Sequence, residues 1–194
     1  IFHPSEDQGI TEEELITMVS EAENEGGLDQ HESQLIRSAI EFGDMQVDEI
    51  LTPRVDIVAI SDQATAEELD ELISSNRFSR IPVWHENIDT VIGIIHERDF
   101  HEAELEDGDP WLDLVTPVIY VAASAQIADL LHDMQRRKMH MAIVVDEFGG
   151  TEGLVTLEDI LEELVGEIWD EHDEVVEMIR KQEDGSYLIN CSRS

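Results

Sequence analysis

The sequence predicts an α/β fold built from two copies of a small β-α-β-β-α module, preceded by acidic helices. The main evidence is a repeated motif, because Gly93-Ile-Ile-His-Glu-Arg-Asp99 returns as Gly153-Leu-Val-Thr-Leu-Glu-Asp159. Two upstream landmarks repeat at a similar distance, and they are Thr52-Pro53 with Thr116-Pro117 and Arg80-Ile-Pro-Val83 with Met141-Ala-Ile-Val144. A repeat of about 60 residues is too long for a solenoid unit and suits a duplicated α/β module. Because duplicated modules usually pack against each other, we expect ligands in the clefts between them.

The composition is globular, but the charge is extreme. The 194 residues are 41% hydrophobic and 30% charged, and the formal net charge is -36. Such a chain repels nucleic acid and anionic membrane surfaces and attracts cations, so we expect no nucleic-acid partner. The single Cys191 rules out an intramolecular disulfide and a cysteine-based zinc site. No apolar run in the sequence approaches the length of a membrane span.

Residues 1–51 are predicted to be helical and acidic. They carry Arg37 as their sole Lys or Arg. Thr11 and Asp29 each stand before an apolar-periodic stretch, as helix caps do. A third, short helix is expected at residues 46–51, because it must end before a proline.

In each module the pattern predicts the order strand, helix, strand, strand, helix. In the first module we expect strands at residues 55–60, 81–84 and 91–95, and helices at residues 64–75 and from residue 97 onward. In the second module we expect strands at residues 118–121, 141–145 and 153–155, and helices at residues 125–137 and 157–169.

The end of the sequence predicts a β-hairpin, with strands at residues 176–181 and 187–189 around a turn at residues 183–186. A lone hairpin is only marginally stable, so we expect it to open a further domain that is truncated here. The absence of an initiator Met leads to the same expectation of a longer protein.

These patterns resemble a tandem CBS-domain pair, and within it the CorC/HlyC/CNNM family of magnesium-transport proteins. The segments that carry the resemblance, besides the first copy of the repeated motif, are Leu51-Thr-Pro-Arg-Val-Asp56, Ser79-Arg-Ile-Pro-Val83, Asp146-Glu-Phe-Gly-Gly-Thr-Glu-Gly-Leu-Val-Thr-Leu-Glu-Asp159 and Leu161-Glu-Glu-Leu-Val-Gly-Glu-Ile-Trp-Asp-Glu171. Together with the acidic helices they cover nearly the whole chain.

The resemblance implies an acidic helical linker at 1–51, CBS module 1 at 52–110 and CBS module 2 at 111–169. Residues 170–194 would be an acidic linker and the start of a C-terminal transporter-associated domain. It further implies a regulatory region for magnesium, cobalt or another divalent cation, on the cytoplasmic side of the membrane. A homodimer through the CBS modules and a membrane domain in the same full-length chain are the expected partners.

Thr156 and Asp159 are the strongest candidate ligand-binding residues. Thr156 precedes a helix, so its hydroxyl and the free N–H groups there point at one spot where a phosphate or a sugar hydroxyl can dock. A carboxylate in that first turn can accept two hydrogen bonds from a ribose diol. The alternative is a capping box that serves only the helix. The resemblance favours binding, because this is the CBS ribose-binding motif, and it implies an adenine nucleotide, ATP with Mg²⁺, as the cofactor.

The resemblance also implies that a set of residues from module 1 faces Thr156 and Asp159. These residues are Thr52, Arg54, Asp56, Phe78, Ser79 and Arg80, with the backbone of Ile81 and Pro82 beside the adenine. Arg80 would bind phosphate. The alternatives are a surface salt bridge for Arg80 and an edge-strand position for Pro82.

A second, weaker cleft is predicted at the matching positions Thr116, His96 and Asp99. Histidine there replaces the hydroxyl residue and is bulkier, so this cleft is a poor equivalent of the first. A helix cap with a polar surface histidine is the favoured interpretation. His140, by contrast, is expected to be a plain surface residue.

The long acidic helix after Asp159 allows a further hypothesis. Its carboxylates have no Lys or Arg among them and could bind Mg²⁺ weakly, and the candidates are Glu162, Glu163, Glu167 and Asp170. Mg²⁺ keeps most of its waters and needs only one or two carboxylates plus phosphate oxygens. The alternative is a solvated acidic face.

No catalytic function is expected, since the sequence has no nucleophile elbow, no HExxH and no P-loop. Two other interpretations stay open. One is a ligand-free CBS dimerisation scaffold, and the other is a regulatory module of an enzyme.

Overall fold

The computed structural model describes residues 10–103, 110–166, 179–181 and 187–189. These residues form six α-helices and nine β-strands. The helices are α1 (Glu12–Asn24), α2 (Gln30–Glu41), α3 (Ala66–Asn76), α4 (Glu97–Glu102), α5 (Ile127–Arg137) and α6 (Leu157–Val165). The strands are β1 (Thr52–Pro53), β2 (Ile60–Ser61), β3 (Arg80–Trp84), β4 (Val91–His96), β5 (Ile119–Ala122), β6 (Met141–Val145), β7 (Thr151–Thr156), β8 (Ile179–Lys181) and β9 (Tyr187–Ile189). Three 3₁₀ turns lie at Val47–Glu49, Arg54–Asp56 and Trp111–Leu114.

The predicted module order is confirmed. Module 1 runs β2-α3-β3-β4-α4 and forms the three-stranded sheet β2-β3-β4. Module 2 runs β5-α5-β6-β7-α6 and contributes three strands of the four-stranded sheet β1-β7-β6-β5. In module 1, β2 is parallel to β3 and β3 is antiparallel to β4. In module 2, β5 is parallel to β6 and β6 is antiparallel to β7.

The two acidic helices at the N-terminal end are capped as predicted. Thr11 caps α1 with Glu14, and Asp29 caps α2 with Glu32, each as a reciprocal capping box. Arg37 on α2 forms an ion pair of 2.7 Å with a carboxylate of α1.

The predicted third helix at 46–51 is instead a single 3₁₀ turn. The backbone N–H groups of Val47 and Asp48 donate to the carbonyls of Ala125 and Ala123, at 2.9 and 3.0 Å, and so tie this turn to module 2. Phe42 and Val47 are buried in the hydrophobic core of module 2. The predicted linker therefore ends in a segment that is packed into the second module.

Each module is joined to the sheet of the other by a short exchanged segment. β1, which precedes module 1, pairs with β7 of module 2, with Thr52 opposite Leu154. Thr116, which precedes module 2, forms an antiparallel bridge with Ile94 on β4 of module 1. This exchange explains the glycine of the repeated motif, because a Cβ at Gly153 would lie 2.5 Å from the Thr52 carbonyl oxygen.

The predicted strand at residues 55–60 is wrong for most of its length. Only Ile60 and its neighbour Ser61 are extended and paired, while Arg54–Asp56 form a 3₁₀ turn. The chain has to leave the sheet of module 2 after Pro53 and enter the sheet of module 1 at Ile60, and the turn makes this change of direction.

The two sheets pack through a buried apolar layer. It contains Val91 and Ile94 from β4, Met141 and Ile143 from β6, and Leu154 from β7. Burial of these side chains stabilises the packing by about 1.5–3 kcal/mol for each one. The layer fixes the module arrangement and hence the clefts between them.

A polar contact joins the modules at the far end of β7. The buried Thr151, 3% exposed, donates from its hydroxyl to the Ile88 carbonyl at 2.8 Å and from its N–H to Asp89 at 2.9 Å. Arg54 forms a two-pronged ion pair with the same aspartate and also donates to the Thr151 carbonyl. We call these four residues the inter-module latch.

The predicted C-terminal strands pair with each other, with β8 and β9 antiparallel, while residues 176–178 and the predicted turn at 183–186 lie outside the described residues. Across the described ranges, no helix combines the length and the apolar character that spanning a bilayer requires.

Candidate functional site

The strongest predicted site lies where β7 ends and α6 begins. The Thr156 hydroxyl accepts from the Asp159 N–H at 3.2 Å and donates to the Asp159 carboxylate at 2.7 Å. The Thr156 N–H donates to the same carboxylate oxygen at 2.7 Å. The capping box predicted as the alternative is therefore present. It holds both side chains at the helix N-terminus, where the positive end of the helix dipole lies.

Arg80 of module 1 reaches this helix start of module 2. Its Nη1 lies 3.6 Å from Oε1 of Glu158, in the first turn of α6, and its side chain is only 21% exposed. The cleft between the modules therefore contains an arginine from one module and Thr156 and Asp159 from the other. The salt bridge predicted as the alternative for Arg80 exists, but it crosses the cleft rather than lying on an outer surface.

His140 is a second basic group in this cleft. It directly precedes β6, its carbonyl accepts from the Leu157 N–H at 2.9 Å, and its Nδ1 lies 3.8 Å from the same Glu158 oxygen. His140 is a surface residue as expected, with a side chain that is 43% exposed, but its Nδ1 is buried, and its place in the cleft was not predicted. The internal repeat could have revealed it, since Ser79 before β3 corresponds to His140 before β6.

Two nitrogens in the cleft, Arg80 Nε and His140 Nδ1, are buried and have no hydrogen-bond partner. Buried polar atoms are usually paired, so two unpaired ones in one cleft fit a site for a ligand with acceptor oxygens. In a chain of net charge -36, this local concentration of basic groups is the feature most suited to an anion such as a phosphate.

The remaining predicted residues of this cleft are placed as follows. Thr52 is half-buried and pairs two positions before Thr156 on β7, and Asp56 is exposed in the 3₁₀ turn that follows. Phe78 and Ser79 are exposed in the connection that leads into β3. Thr52 therefore lies near Thr156 in the sheet, and Ser79 directly precedes Arg80 in the chain.

Ile81 and Pro82 follow Arg80 on β3, and both side chains are fully buried. Only their backbone is left to flank a ligand, as predicted. Pro82 lies beside the stretch where β2 does not pair with β3, since that pairing begins at Val83. This fits the edge-type position expected for a proline within a strand.

The structure moves Arg54 away from the cleft. It contacts Asp89 and the carbonyl of Thr151. Thr151 begins β7 and Thr156 ends it, so the two are about 16 Å apart at roughly 3.3 Å per residue. Arg54 therefore belongs to the inter-module latch, and its predicted place beside Thr156 is wrong.

The second predicted cleft is built differently. His96 stands at the start of α4 without a side-chain capping bond, and Asp99 is exposed. The helix cap expected for His96 is therefore absent. Burial, and next to it the charge of Arg80, lower the pKa of His96 below its ordinary value, which favours the neutral ring. Thr116 is engaged with Ile94 through both its backbone and its hydroxyl.

The predicted Mg²⁺ carboxylates are only partly described. Glu162 is exposed and Glu163 is half-buried on α6, while Glu167 and Asp170 lie outside the described residues. Within the described part of the chain, no group of three or more His, Cys, Asp or Glu side chains could hold a metal ion. A Mg²⁺ ion bound at the described residues would therefore need oxygens from a ligand and from water as well.

The sequence of the chain matches the CBS domain family over residues 47–106 and 113–166. A relative in Bacillus subtilis, UPF0053 protein YrkA, is 39% identical over 93% of this chain and 43% of its own length. The chain thus spans less than half of this curated relative.

Solved structures give the same result. The CBS domain of the bacterial CNNM/CorC family Mg²⁺ transporter is 44% identical, with a TM-score of 0.77 over 83% of this chain and 99% of that one. A structure of that domain in complex with ATP is 45% identical, with a TM-score of 0.68 over 71% of this chain and 99% of that one.

The fold and the composite cleft therefore define a tandem CBS-domain pair. The chain belongs to the CNNM/CorC family of transporter CBS domains.

Proposed function

We propose that this chain is the regulatory region of a magnesium or divalent-cation transport protein, and that an adenine nucleotide binds between its modules. The observation that carries the proposal is the approach of Arg80 from module 1 to the α6 turn of module 2, 3.6 Å from Glu158 and beside Thr156 and Asp159. A related CBS domain, 45% identical, has been solved in complex with ATP.

The roles follow from the chemistry of the groups. Asp159 is the acceptor for the ribose hydroxyls, Thr156 holds it in place, and Arg80 binds phosphate. Thr52 and the backbone of Ile81 and Pro82 flank the base. A ligand held by both modules binds most tightly when they are close together. Its binding therefore shifts the conformational equilibrium towards that arrangement.

Mg²⁺ is part of the proposal because of charge. ATP brings about four negative charges to a chain that is itself strongly acidic, and few arginines face it. Mg²⁺ on the phosphates lowers this repulsion without an all-protein metal site. In the full-length protein, the nucleotide-bound arrangement would favour one form of a CBS homodimer on the cytoplasmic side and so bias the attached membrane domain.

Isothermal titration of ATP into the protein, with and without Mg²⁺, tests the proposal. We expect saturable heat with ATP and a lower Kd when Mg²⁺ is present. If ATP, ADP and AMP all give neither heat nor a thermal shift, the nucleotide function is excluded.

One observation favours a second candidate, a ligand-free dimerisation scaffold. Thr156 and Asp159 already satisfy each other in a capping box, so the motif has a complete structural use without a ligand. A scaffold would show no rise in melting temperature at saturating nucleotide, whereas the stability of a binding protein rises with the logarithm of the ratio of ligand concentration to Kd.

A further inference from the structure

Glu158 is an acidic side chain at the end of the cleft where Arg80 is proposed to bind phosphate. Oε1 of Glu158 lies within 4 Å of two basic groups, 3.6 Å from Arg80 Nη1 and 3.8 Å from His140 Nδ1. One negatively charged oxygen thus sits between an arginine of module 1 and a histidine of module 2.

The contact with Arg80 attracts by charge, and both contacts are too long to be hydrogen bonds. The buried nitrogens Arg80 Nε and His140 Nδ1 remain without any hydrogen-bond partner. Glu158 therefore offsets the positive charge of Arg80 but leaves these two nitrogens of Arg80 and His140 without a hydrogen bond.

Glu158 is also easy to displace. Its side chain is 62% exposed, so it can turn into water without a large desolvation cost. A phosphate group has several acceptor oxygens, so in the place of the carboxylate it could accept hydrogen bonds from the Arg80 guanidinium and the His140 ring together.

We propose that Arg80 and His140 form a two-residue phosphate subsite across the module boundary, and that Glu158 occupies it as an internal competitor when no ligand is bound. The inference rests on the proposed nucleotide site, whose phosphate end it describes. Its consequence is specificity: a ligand must carry a phosphate to displace Glu158, and the competing carboxylate sets how much ligand is needed.

The nearby charged groups agree with this assignment. Burial, and next to it the charge of Arg80, lower the pKa of His96, so the neutral form of this neighbouring ring is favoured. Asp159 is engaged with Thr156 through the capping box. Glu158 is thus the carboxylate in contact with both basic groups among the described ion pairs.

The test is a comparison of Glu158→Gln with wild type in buffer without divalent ions. Titration with AMP should give a Kd about three- to tenfold lower for the variant, since one competing charge is removed at a partly screened site. Adenosine, which has no phosphate, should bind both proteins equally. Glu152→Gln is the matched control, with the same charge change on an exposed side chain of β7 about 13 Å along the strand from Thr156, and it should alter the AMP affinity less than twofold.

His140→Ala tests the other half of the subsite. It should weaken AMP about three- to tenfold and leave adenosine unchanged. The fold is expected to persist, because the Leu157 N–H is bonded to the backbone carbonyl of His140 and not to its ring. If His140→Ala binds AMP like wild type, Arg80 holds the phosphate alone and the two-residue subsite is wrong.

An unchanged or weaker AMP affinity in Glu158→Gln overturns the competitor role. Pyrophosphate separates this result from failure of the proposed function. If no adenine nucleotide binds wild type but pyrophosphate binds Glu158→Gln more tightly than wild type, the subsite stands and the nucleotide function falls. If neither protein binds either ligand, both fall.

Discussion

The two repeated helix starts show how a single residue changes a site. At α6, Thr156 and Asp159 bond to each other and hold the carboxylate at the helix N-terminus. At α4, His96 makes no capping bond and Asp99 is exposed. The motif is the same in outline, but only the second copy presents a fixed carboxylate to the cleft.

We therefore predict that Asp159→Ala and Thr156→Ile each weaken nucleotide binding more than Asp99→Ala. The first change removes the ribose acceptor, and the second places a bulky apolar group at the helix N-terminus. Isothermal titration of ATP on each variant measures the difference.

The two changes at α6 also remove a cap, which costs about 0.5–2 kcal/mol, so folding must be verified before the affinities are compared. Thr156→Ser keeps the hydroxyl and serves as the control, with binding close to wild type. Equal losses at Asp99 and Asp159 would show that the main cleft is misassigned or that both clefts are used.

A different residue pair gives the molecule a local pH dependence. His85 Nδ1 lies 2.6 Å from Asp62 Oδ2, where β2 ends beside β3. The hydrogen bond to Asp62 raises the pKa of His85 above its ordinary value of 6.5, and the hydrogen bond to His85 lowers the pKa of Asp62. The protonated histidine is therefore favoured in the folded state.

The sign of the effect follows from the raised pKa of His85. Its contribution to stability is complete below pH 6.5 and is lost as the pH rises through the folded-state pKa. We predict that His85→Gln loses less stability than wild type between about pH 6 and about pH 9. Melting temperatures at the two pH values measure it, with His101→Gln as the control, because the carboxylates nearest to His101 are 4.0 Å away. Parallel curves for wild type and His85→Gln would contradict the prediction.

At the scale of elements, the inter-module latch holds the β3–β4 turn against the start of β7. Asp89 accepts from Arg54 and from the N–H of Thr151, and these bonds, the arginine first, lower the pKa of its carboxyl. The Thr151 hydroxyl adds a buried bond to the Ile88 carbonyl. This polar contact lies at the opposite end of β7 from Thr156, so it acts on the cleft only through the packing of the modules.

We predict that Thr151→Val destabilises the fold by about 1–2 kcal/mol, because it leaves the Ile88 carbonyl without its donor at nearly constant volume. Urea denaturation measures the change in the free energy of unfolding. Thr90→Val, in the same region but on an exposed side chain, should stay within about 0.5 kcal/mol of wild type. A similar loss in both variants would mean that the buried hydroxyl has no special role.

The elements also show what sequence could and could not predict. The repeat and its periodicity predicted the β-α-β-β-α order and placed β6 at its observed bounds, because these signals are local. The exchange of β1 and Thr116 between the sheets was not predicted, since it depends on pairing between residues about one hundred positions apart along the chain for β1 and β7. The same exchange produced the error in the strand expected at 55–60, which stands beside the errors in the third helix expected at 46–51 and in the place expected for Arg54.

The candidate site divides in the same way. Arg80, Thr156 and Asp159 carry recognisable patterns and were predicted together, and the structure places Arg80 at the α6 turn. The repeated motif contains Glu158 but gives it no distinct role, and His140 lies just outside the repeated segments, so both were missed. Their importance comes from two unpaired buried nitrogens, which are visible only in three dimensions.

At the scale of the whole molecule, charge is the dominant property. The chain has 47 acidic and 11 basic residues. The excess negative charges repel one another more in the folded state than in an extended chain. Many of the basic side chains already form ion pairs among the described residues, including Arg37, Arg54, Arg80 and Arg98. Cations from solution are therefore expected to stabilise the fold.

We predict that both MgCl₂ and NaCl raise the melting temperature, and that MgCl₂ does so at a far lower concentration. Any salt screens the repulsion between carboxylates. Mg²⁺ can in addition bind between neighbouring carboxylates, such as Glu162 and Glu163 on α6 and those that follow in the sequence, and it would ease the approach of two acidic chains in a dimer. Melting temperature and sedimentation, compared for the two salts at matched ionic strength, measure both effects. Superimposable curves would mean that the acidic residues are only a solvated face, and the proposed sensitivity to Mg²⁺ would then depend on the nucleotide alone.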